Sequence, residues 1–144
     1  MADEDVDMQV VIFRIGAEKY ALPTTTAREV IPFNLPRRLP GGEEWVLGVH
    51  NVRGEIIPIC DLMVALGLPE VAEKNQIVVC DADDGSIGLV VEEVVEVMTW
   101  GKDDISRPES LRHPGLVGVV QRKDGMIVML DLQEVMKPES GSIV

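Results

Sequence analysis

The sequence contains an internal duplication, and this repeat constrains the fold more than any other feature. Two copies, at about residues 9–66 and 76–136, align with an offset of 67 in their first part and 70 in their second. The clearest matches are 9–13 with 76–80, Leu22 with Leu89, Glu29 with Glu96, Val30 with Val97, Gly48 with Gly118, Ile57 with Ile127, and Asp61-Leu62 with Asp131-Leu132. Because a solenoid needs at least three stacked units, two copies predict a duplicated unit within one domain.

Each copy consists of short apolar runs separated by glycine-containing turns, a pattern typical of β-hairpins. In the first copy, residues 46–52 turn at Arg53-Gly54 into residues 55–60, and the second copy repeats this hairpin at 116–130. Val and Ile residues far outnumber the five aromatic residues, which also favours strands. Since several runs are apolar on both faces, the sequence predicts a mainly β protein of two small antiparallel barrels packed together.

Two aspartates, Asp61 and Asp131, follow the last hairpin of each copy and precede the short runs 62–66 and 132–136. An aspartate at such a place accepts hydrogen bonds from backbone N–H groups in the first turn of a helix. The sequence therefore predicts two short helices, each begun by one of these aspartates.

The chain has a net charge of −12, with a cluster of acidic residues at its start. We expect a disordered acidic tail at 1–7, a single domain at 8–137 and a second tail at 138–144, with exchange of strands between the two copies left open. A chain this acidic is a poor ligand for nucleic acid, since phosphate binding needs clustered Lys and Arg. It has no apolar run of about 18 residues and no secretory signal, so we expect no membrane insertion.

No grouping of residues predicts catalysis or metal binding. His50 and His113 lie at non-equivalent places and have no Cys or His at metal-ligand spacing. Cys60 and Cys80 lie in apolar runs and are expected to be buried, reduced thiols of a cytosolic protein. The acidic run 81–85 fits a hairpin turn better than a calcium loop, because its glycine is one place too early. We therefore expect no enzyme activity, no cofactor and no metal, and we assign function to the protein's surfaces.

Residues 48–62, GVHNVRGEIIPICDL, resemble the signature of the CheW family, G-x-x-N-[LV]-R-G-x-[IV]-[IV]-P-[IV]-x-D-L, at every fixed position. The resemblance extends over about residues 8–137. Further matches are 13–16, 20–23, 28–31, 87–92, Val97 and 116–118. It implies two pseudo-symmetric, SH3-like, five-stranded antiparallel β-barrels with short helices, in agreement with the duplication.

The resemblance also implies a function. CheW-like proteins are non-enzymatic adaptors that couple methyl-accepting chemotaxis receptors to the regulatory domain of a CheA-type histidine kinase in bacterial chemosensory arrays. By that resemblance we expect a cytoplasmic protein, monomeric when free, that is recruited to membrane-associated arrays. The alternatives are an accessory paralogue that binds the kinase but couples poorly to receptors, and one that serves a motility or other non-standard pathway. A peptide-binding SH3-like module outside chemotaxis is disfavoured, because such grooves are rich in aromatic residues.

The resemblance implies two sets of contact residues. Those of the receptor-binding groove are Ala27, Glu29, Val30, Arg53, Ile77 and Gly88. Those of the kinase-binding site are Gly118, Lys123 and Met126.

A structural ion pair between Glu29 and Arg53 is also expected, joining a short helix near 25–31 to the hairpin. Glu96 and Lys123 occupy the matching repeat positions and would duplicate the pair. The polar run Thr24-Thr25-Thr26 departs from the aliphatic residues usual in the family and predicts a late start for this helix, with a threonine as its N-cap. A separation of the two charged groups beyond about 4 Å would reject the ion pair.

Overall fold

The computed structural model describes residues 7–111 and 113–136, and this part of the chain is mainly β, as the sequence predicts. The strands are β1 (Met8–Ile15), β2 (Glu18–Pro23), β3 (Ala27–Pro32), β4 (Val46–Val52), β5 (Glu55–Cys60), β6 (Gln76–Ala82), β7 (Gly85–Val91), β8 (Glu93–Trp100), β9 (Leu116–Arg122) and β10 (Gly125–Leu130). Helix α1 (Leu62–Ala65) follows β5, and α2 (Leu132–Val135) follows β10. The tails predicted at 1–7 and 138–144 lie outside the described residues, apart from Asp7.

The strands form two five-stranded sheets, and each sheet takes strands from both copies of the repeat. Sheet A has the order β8-β1-β2-β10-β9, and sheet B has the order β3-β6-β7-β5-β4. Each copy therefore gives its first two strands to one sheet and its last three to the other.

The prediction of closed antiparallel barrels is not confirmed, because both sheets are mixed and open. Strands β2 and β10 run parallel in sheet A, as β5 and β7 do in sheet B. These neighbours come from different copies, and parallel strands need a crossover in place of a hairpin. No backbone pairing among the described residues joins the two outer strands of either sheet.

Single-residue bridges protect one edge of each sheet. The segment after β3 returns to the outer edge of β4, where Arg37 and Val49 exchange N–H···O bonds of 3.0 and 2.9 Å. The segment after β8 does the same on β9, where Ser106 and Val119 exchange two bonds of 2.8 Å. The repeat thus preserves the bridge as well as the strands.

Gly48 and Gly118 occupy matching positions in the repeat because these bridges leave no space for a side chain. A Cβ atom at Gly118 would lie 2.6 Å from the carbonyl oxygen of Ser106. A Cβ atom at Gly48 would overlap the carbonyl oxygen of Arg37, and the backbone there has a φ of +156°, which L side chains rarely adopt.

Two hydrophobic clusters hold the fold together. The larger one contains buried side chains of sheet B and of both helices together with Phe13, Ile15, Tyr20, Leu22 and Leu130 of sheet A. The smaller one lies within sheet A around the fully buried Trp100. The buried members of the smaller cluster are Val10, Ile12, Ala21, Trp100, Val120, Ile127 and Met129. The larger cluster therefore joins the two sheets, and the smaller cluster belongs to sheet A alone.

The helix expected near 25–31 is wrong, since this segment contains the edge strand β3. Its residues alternate between half-buried and exposed, which is the two-residue period of a strand and not the 3.6-residue period of a helix. The threonines at 24–26 form the turn that precedes it, and the N–H group of Thr26 donates to the carbonyl oxygen of Pro23 at 2.9 Å.

The two helix caps are confirmed. Oδ1 of Asp61 accepts the N–H groups of Met63 at 3.0 Å and Val64 at 3.2 Å. Its other oxygen accepts the N–H group of Val71 at 2.9 Å, and the residue is fully buried. Asp131 caps α2 through a single oxygen, which accepts N–H groups at 3.1 and 3.4 Å. Asp61 therefore also fixes the segment that joins the two copies.

Candidate interaction surfaces

The tip of the β4–β5 hairpin carries an arginine in an uncommon backbone conformation. Arg53 has a φ of +52°, the only positive value at a non-glycine residue in the described part of the chain, and Gly54 follows at +90°. Two left-handed residues between paired strands form the type I′ turn that a two-residue hairpin favours. Such turns prefer Asn, Asp or Gly, so an arginine at the first position stores backbone strain, which is common at functional sites.

Arg53 contacts Glu29 on β3. Its Nε atom lies 3.0 Å from both carboxylate oxygens, well inside the 4 Å limit set above. The hydrogen bond lowers the pKa of Glu29 below its ordinary value and raises the pKa of Arg53. The Arg53 side chain is 78% exposed, so water screens the pair. The contact therefore fixes the position of the hairpin tip against β3 more than it stabilises the fold.

A second arginine reinforces this contact. A β-bulge between Ala27 and Glu29 leaves Arg28 without an opposing residue on β6, and a bulge redirects side chains. Nη1 of Arg28 donates to Asp81 at 2.9 Å, and Nη2 lies 3.9 Å from a carboxylate oxygen of Glu55 on β5. Side-chain charges thus connect the edge strand β3 to the β4–β5 hairpin, although β6 and β7 lie between β3 and β5 in sheet B.

Among the residues implied for the receptor groove, four lie on or against β3. Ala27 is half-buried, Val30 is 41% exposed, and the ion pair holds Arg53 beside Glu29. We call these four residues the β3 patch.

The other two groove candidates, Ile77 and Gly88, lie in the core. Both are buried. A Cβ atom at Gly88 would lie 2.7 Å from Cγ2 of Ile77 and 2.8 Å from Cδ1 of Ile59. They set the packing of the sheet beneath its surface and present no side chain to a partner.

The matching place in the second copy is organised differently. No ion pair in the described part of the chain joins Glu96 to Lys123. Lys19 instead lies 3.3 Å from Asp124, and this hydrogen bond lowers the pKa of that carboxyl group. The duplicated ion pair expected from the sequence is therefore absent there, because Lys123 is not held against β8.

Of the residues implied for kinase binding, Lys123 and Met126 are exposed and Gly118 is buried under the Ser106 bridge. We call Lys123 and Met126 the β10 patch. Gly118 lies on β9 and leaves room for the Ser106 segment to pair with that strand.

Sequence reasoning missed two exposed apolar residues that accompany these patches. Ile56 is 62% exposed beside Arg53, and its repeat counterpart Met126 is 54% exposed. Val97 is 53% exposed and is the counterpart of Val30. The signal was present in the repeat, since apolar residues recur at matched positions next to the turns. Recurrent exposure in both copies marks two related but separate surfaces.

The remaining chemistry-bearing residues have structural surroundings. His50 Nε2 lies 2.7 Å from the carbonyl oxygen of Asn34, and His113 Nδ1 accepts the N–H group of Gly115. Burial raises the pKa of both Cys60 and Cys80 to about 12. Within residues 7–111 and 113–136, no three His, Cys, Asp or Glu side chains are placed to hold a metal ion, and no helix has the length and hydropathy to cross a membrane.

The family model, a curated relative and a solved structure that this chain resembles all carry the name CheW. The family model of the CheW-like domain matches residues 9–139. The chain is 28% identical to the chemotaxis protein CheW of Bacillus subtilis (strain 168) over 138 residues, 92% of this chain and 88% of the relative. It is 32% identical to the protein PilI of Pseudomonas aeruginosa over 122 residues, 81% of this chain and 68% of the relative. The crystal structure of the scaffolding protein TtCheW from Thermoanaerobacter tengcongensis has a similar fold, with a TM-score of 0.83 at 24% identity, over 93% of this chain and 90% of that one.

Proposed function

The chain belongs to the CheW-like domain family, and on that premise we propose that it is a non-enzymatic adaptor that couples methyl-accepting chemotaxis receptors to a CheA-type histidine kinase. The observation that carries this proposal is the presence of two related surfaces, the β3 patch and the β10 patch, on different sheets. An adaptor needs two separate contact surfaces, because it must hold two partners at once. The protein would act in the cytoplasm, as part of a membrane-associated receptor array.

In this proposal the β3 patch binds the receptor. It combines the half-buried Ala27 and the exposed Val30 with a charged group that the Glu29 contact holds in place. An apolar surface bordered by an ordered arginine suits the apolar stripe of a receptor helix, with Arg53 selecting its register. The contact with Glu29 already restricts the Arg53 side chain in the free protein, so receptor binding would cost little further side-chain entropy at this residue.

The kinase then binds the β10 patch. Met126 provides a flexible apolar contact of the kind that adapts to a partner surface. Lys123 has no ion-pair partner in the described part of the chain, so its charge is free to meet a carboxylate on the kinase. Because the two patches lie on different sheets, one partner would not displace the other.

The test compares Arg53→Glu with Lys123→Glu. The two variants make the same charge change at matched repeat positions, so each is the control for the other. Tagged proteins are used to retain partners from native lysate, and the partners are identified by mass. We expect Arg53→Glu to lose the receptor and keep the kinase, and Lys123→Glu to do the reverse.

Other outcomes would separate the alternatives. Retention of the receptor by Arg53→Glu would contradict the assignment of the β3 patch. Kinase without receptor in the wild type would favour the accessory paralogue. Neither partner with the wild type would show that the fold serves another pathway. Circular dichroism of each variant checks that it is folded.

A further inference from the structure

A cleft opens where sheet A lacks the ion pair that covers sheet B. Its walls are β8 and the β9–β10 hairpin, and its lining residues are Lys19, Glu96, Met98, Gln121, Arg122, Lys123, Asp124 and Ile127. On sheet B, two contacts fill the matching space. One is the bond between Glu29 and Arg53, and the other is a bond of 3.1 Å from Arg28 to Ser86. Ser86 is the repeat counterpart of Lys19. The pseudo-symmetry of the two sheets therefore breaks at this place.

The cleft contains an arginine, Arg122, that makes no ion pair in the described part of the chain. Arg122 stands where the first copy has the buried Val52. Its guanidinium carbon lies 5.9 Å from the centre of the Trp100 ring, in cation–π contact. Its Nε atom is buried without a hydrogen-bond partner, and the indole Nε1 of Trp100 is in the same condition. Of the two residues, only Arg122 lines the cleft, and its unpartnered N–H group suits a ligand that accepts hydrogen bonds.

A carboxylate is such a group. Ionised carboxylates accept through two oxygens and form strong, charge-assisted bonds with guanidinium groups. Arg122 and Lys123 have no ion-pair partner in the described part of the chain, although the protein as a whole has a net charge of −12. The cleft thus selects an acidic peptide, with apolar contacts available at Met98 and Ile127.

We propose that this cleft binds the acidic N-terminal segment of the same chain, residues 1–7. This segment has the sequence Met-Ala-Asp-Glu-Asp-Val-Asp, which combines four carboxylates with apolar residues. It joins β1 at Met8, which pairs directly with Trp100 on β8. Seven extended residues reach about 23 Å, and the cleft lies within a few strand residues of Trp100. A tethered segment also has an effective concentration in the millimolar range, which favours it over a free competitor.

The segment would then compete with a partner for the β10 patch, because Lys123 belongs to both. The contact itself does not depend on the proposed function, and it is tested on the isolated protein.

The test neutralises the segment and observes the cleft by NMR. In the variant Asp3→Asn, Glu4→Gln, Asp5→Asn, we expect shifts of the Trp100 indole N–H signal and of the amide signals of residues 121–124. The matched control removes three charges from exposed positions elsewhere, by Glu73→Gln, Asp83→Asn and Asp84→Asn, and is expected to leave these signals unmoved.

Two further measurements complete the test. Salt at about 1 M should move the wild-type signals in the same direction as neutralisation, because it screens the contact. A free peptide of residues 1–7, added to the neutralised protein, should return the signals towards their wild-type positions, and Arg122→Gln should abolish this response. Unmoved signals in the neutralised variant would overturn the proposal. Wild-type signals that depend on protein concentration would overturn it too, since they would indicate the segment of a second copy.

Discussion

The replacement of Asp61 by alanine should cost much more stability than the same change at its repeat counterpart Asp131. Both aspartates cap a short helix, and loss of a cap costs about 0.5–2 kcal/mol. Only Asp61 also accepts the N–H group of Val71, with its second oxygen and in a fully buried place. A buried donor left without a partner costs a further 1–3 kcal/mol or so.

The two terms predict a loss of about 1.5–5 kcal/mol for Asp61→Ala and about 0.5–2 kcal/mol for Asp131→Ala. The assay is urea unfolding followed by circular dichroism, with the two variants compared at equal m-value. Asp61→Asn is expected to fall between the wild type and Asp61→Ala, because its single carbonyl oxygen accepts the capping bonds but leaves Val71 unpaired. Equal losses for the two alanine variants would refute the reasoning, since the bond to Val71 would then contribute nothing.

Three further predictions follow from the geometry. Gly48→Ala should destabilise the fold by about 1–3 kcal/mol, the usual cost of overpacking, and should expose the amide of Val49 to hydrogen exchange. The thiols of Cys60 and Cys80 should react with a disulfide reagent only on unfolding. Since folding raises their pKa to about 12, the free energy of unfolding should fall by about 1.4 kcal/mol per pH unit for each thiol as the pH rises above about 9. The double alanine variant should not show this fall. Arg53→Gln should raise the pKa of Glu29, measured by NMR titration, because the ion pair lowers that pKa. The contribution of the ion pair to stability is present above the ordinary glutamate pKa of about 4.3 and is lost as the pH falls through the lowered value. An unchanged Glu29 titration would contradict the ion pair.

Local features were predictable from the sequence because they depend on neighbouring residues. The Arg53-Gly54 hairpin and the caps at Asp61 and Asp131 follow from turn and capping preferences within a few positions. Strand β3 was missed because polar threonines and the Arg28-Glu29 pair hid its alternation. The sheet that supports this strand then fixed its conformation.

The exchange of strands could not be predicted, since it depends on pairings between distant residues that local preferences do not encode. The burial of Ile77 and Gly88 has the same origin. Ile77 faces the core, and Gly88 lies there without a side chain, only because β6 and β7 are interior strands of sheet B. The repeat did not predict the absence of a Glu96–Lys123 bond either. The second copy has Asp124 where the first copy has Gly54, and Asp124 contacts Lys19.

The exchange of strands has a consequence for how the protein is made. Sheet B needs no residue after Val91, so it can pair completely while the rest of the chain is still on the ribosome. Sheet A has only β1 and β2 until β8 is released, and it waits for Leu130 before its five strands are present. During that interval the apolar faces of β1 and β2 have no final partners and are exposed to aggregation. A chain cut in the segment between the copies would give two fragments that each lack strands of both sheets, so neither could fold without the other.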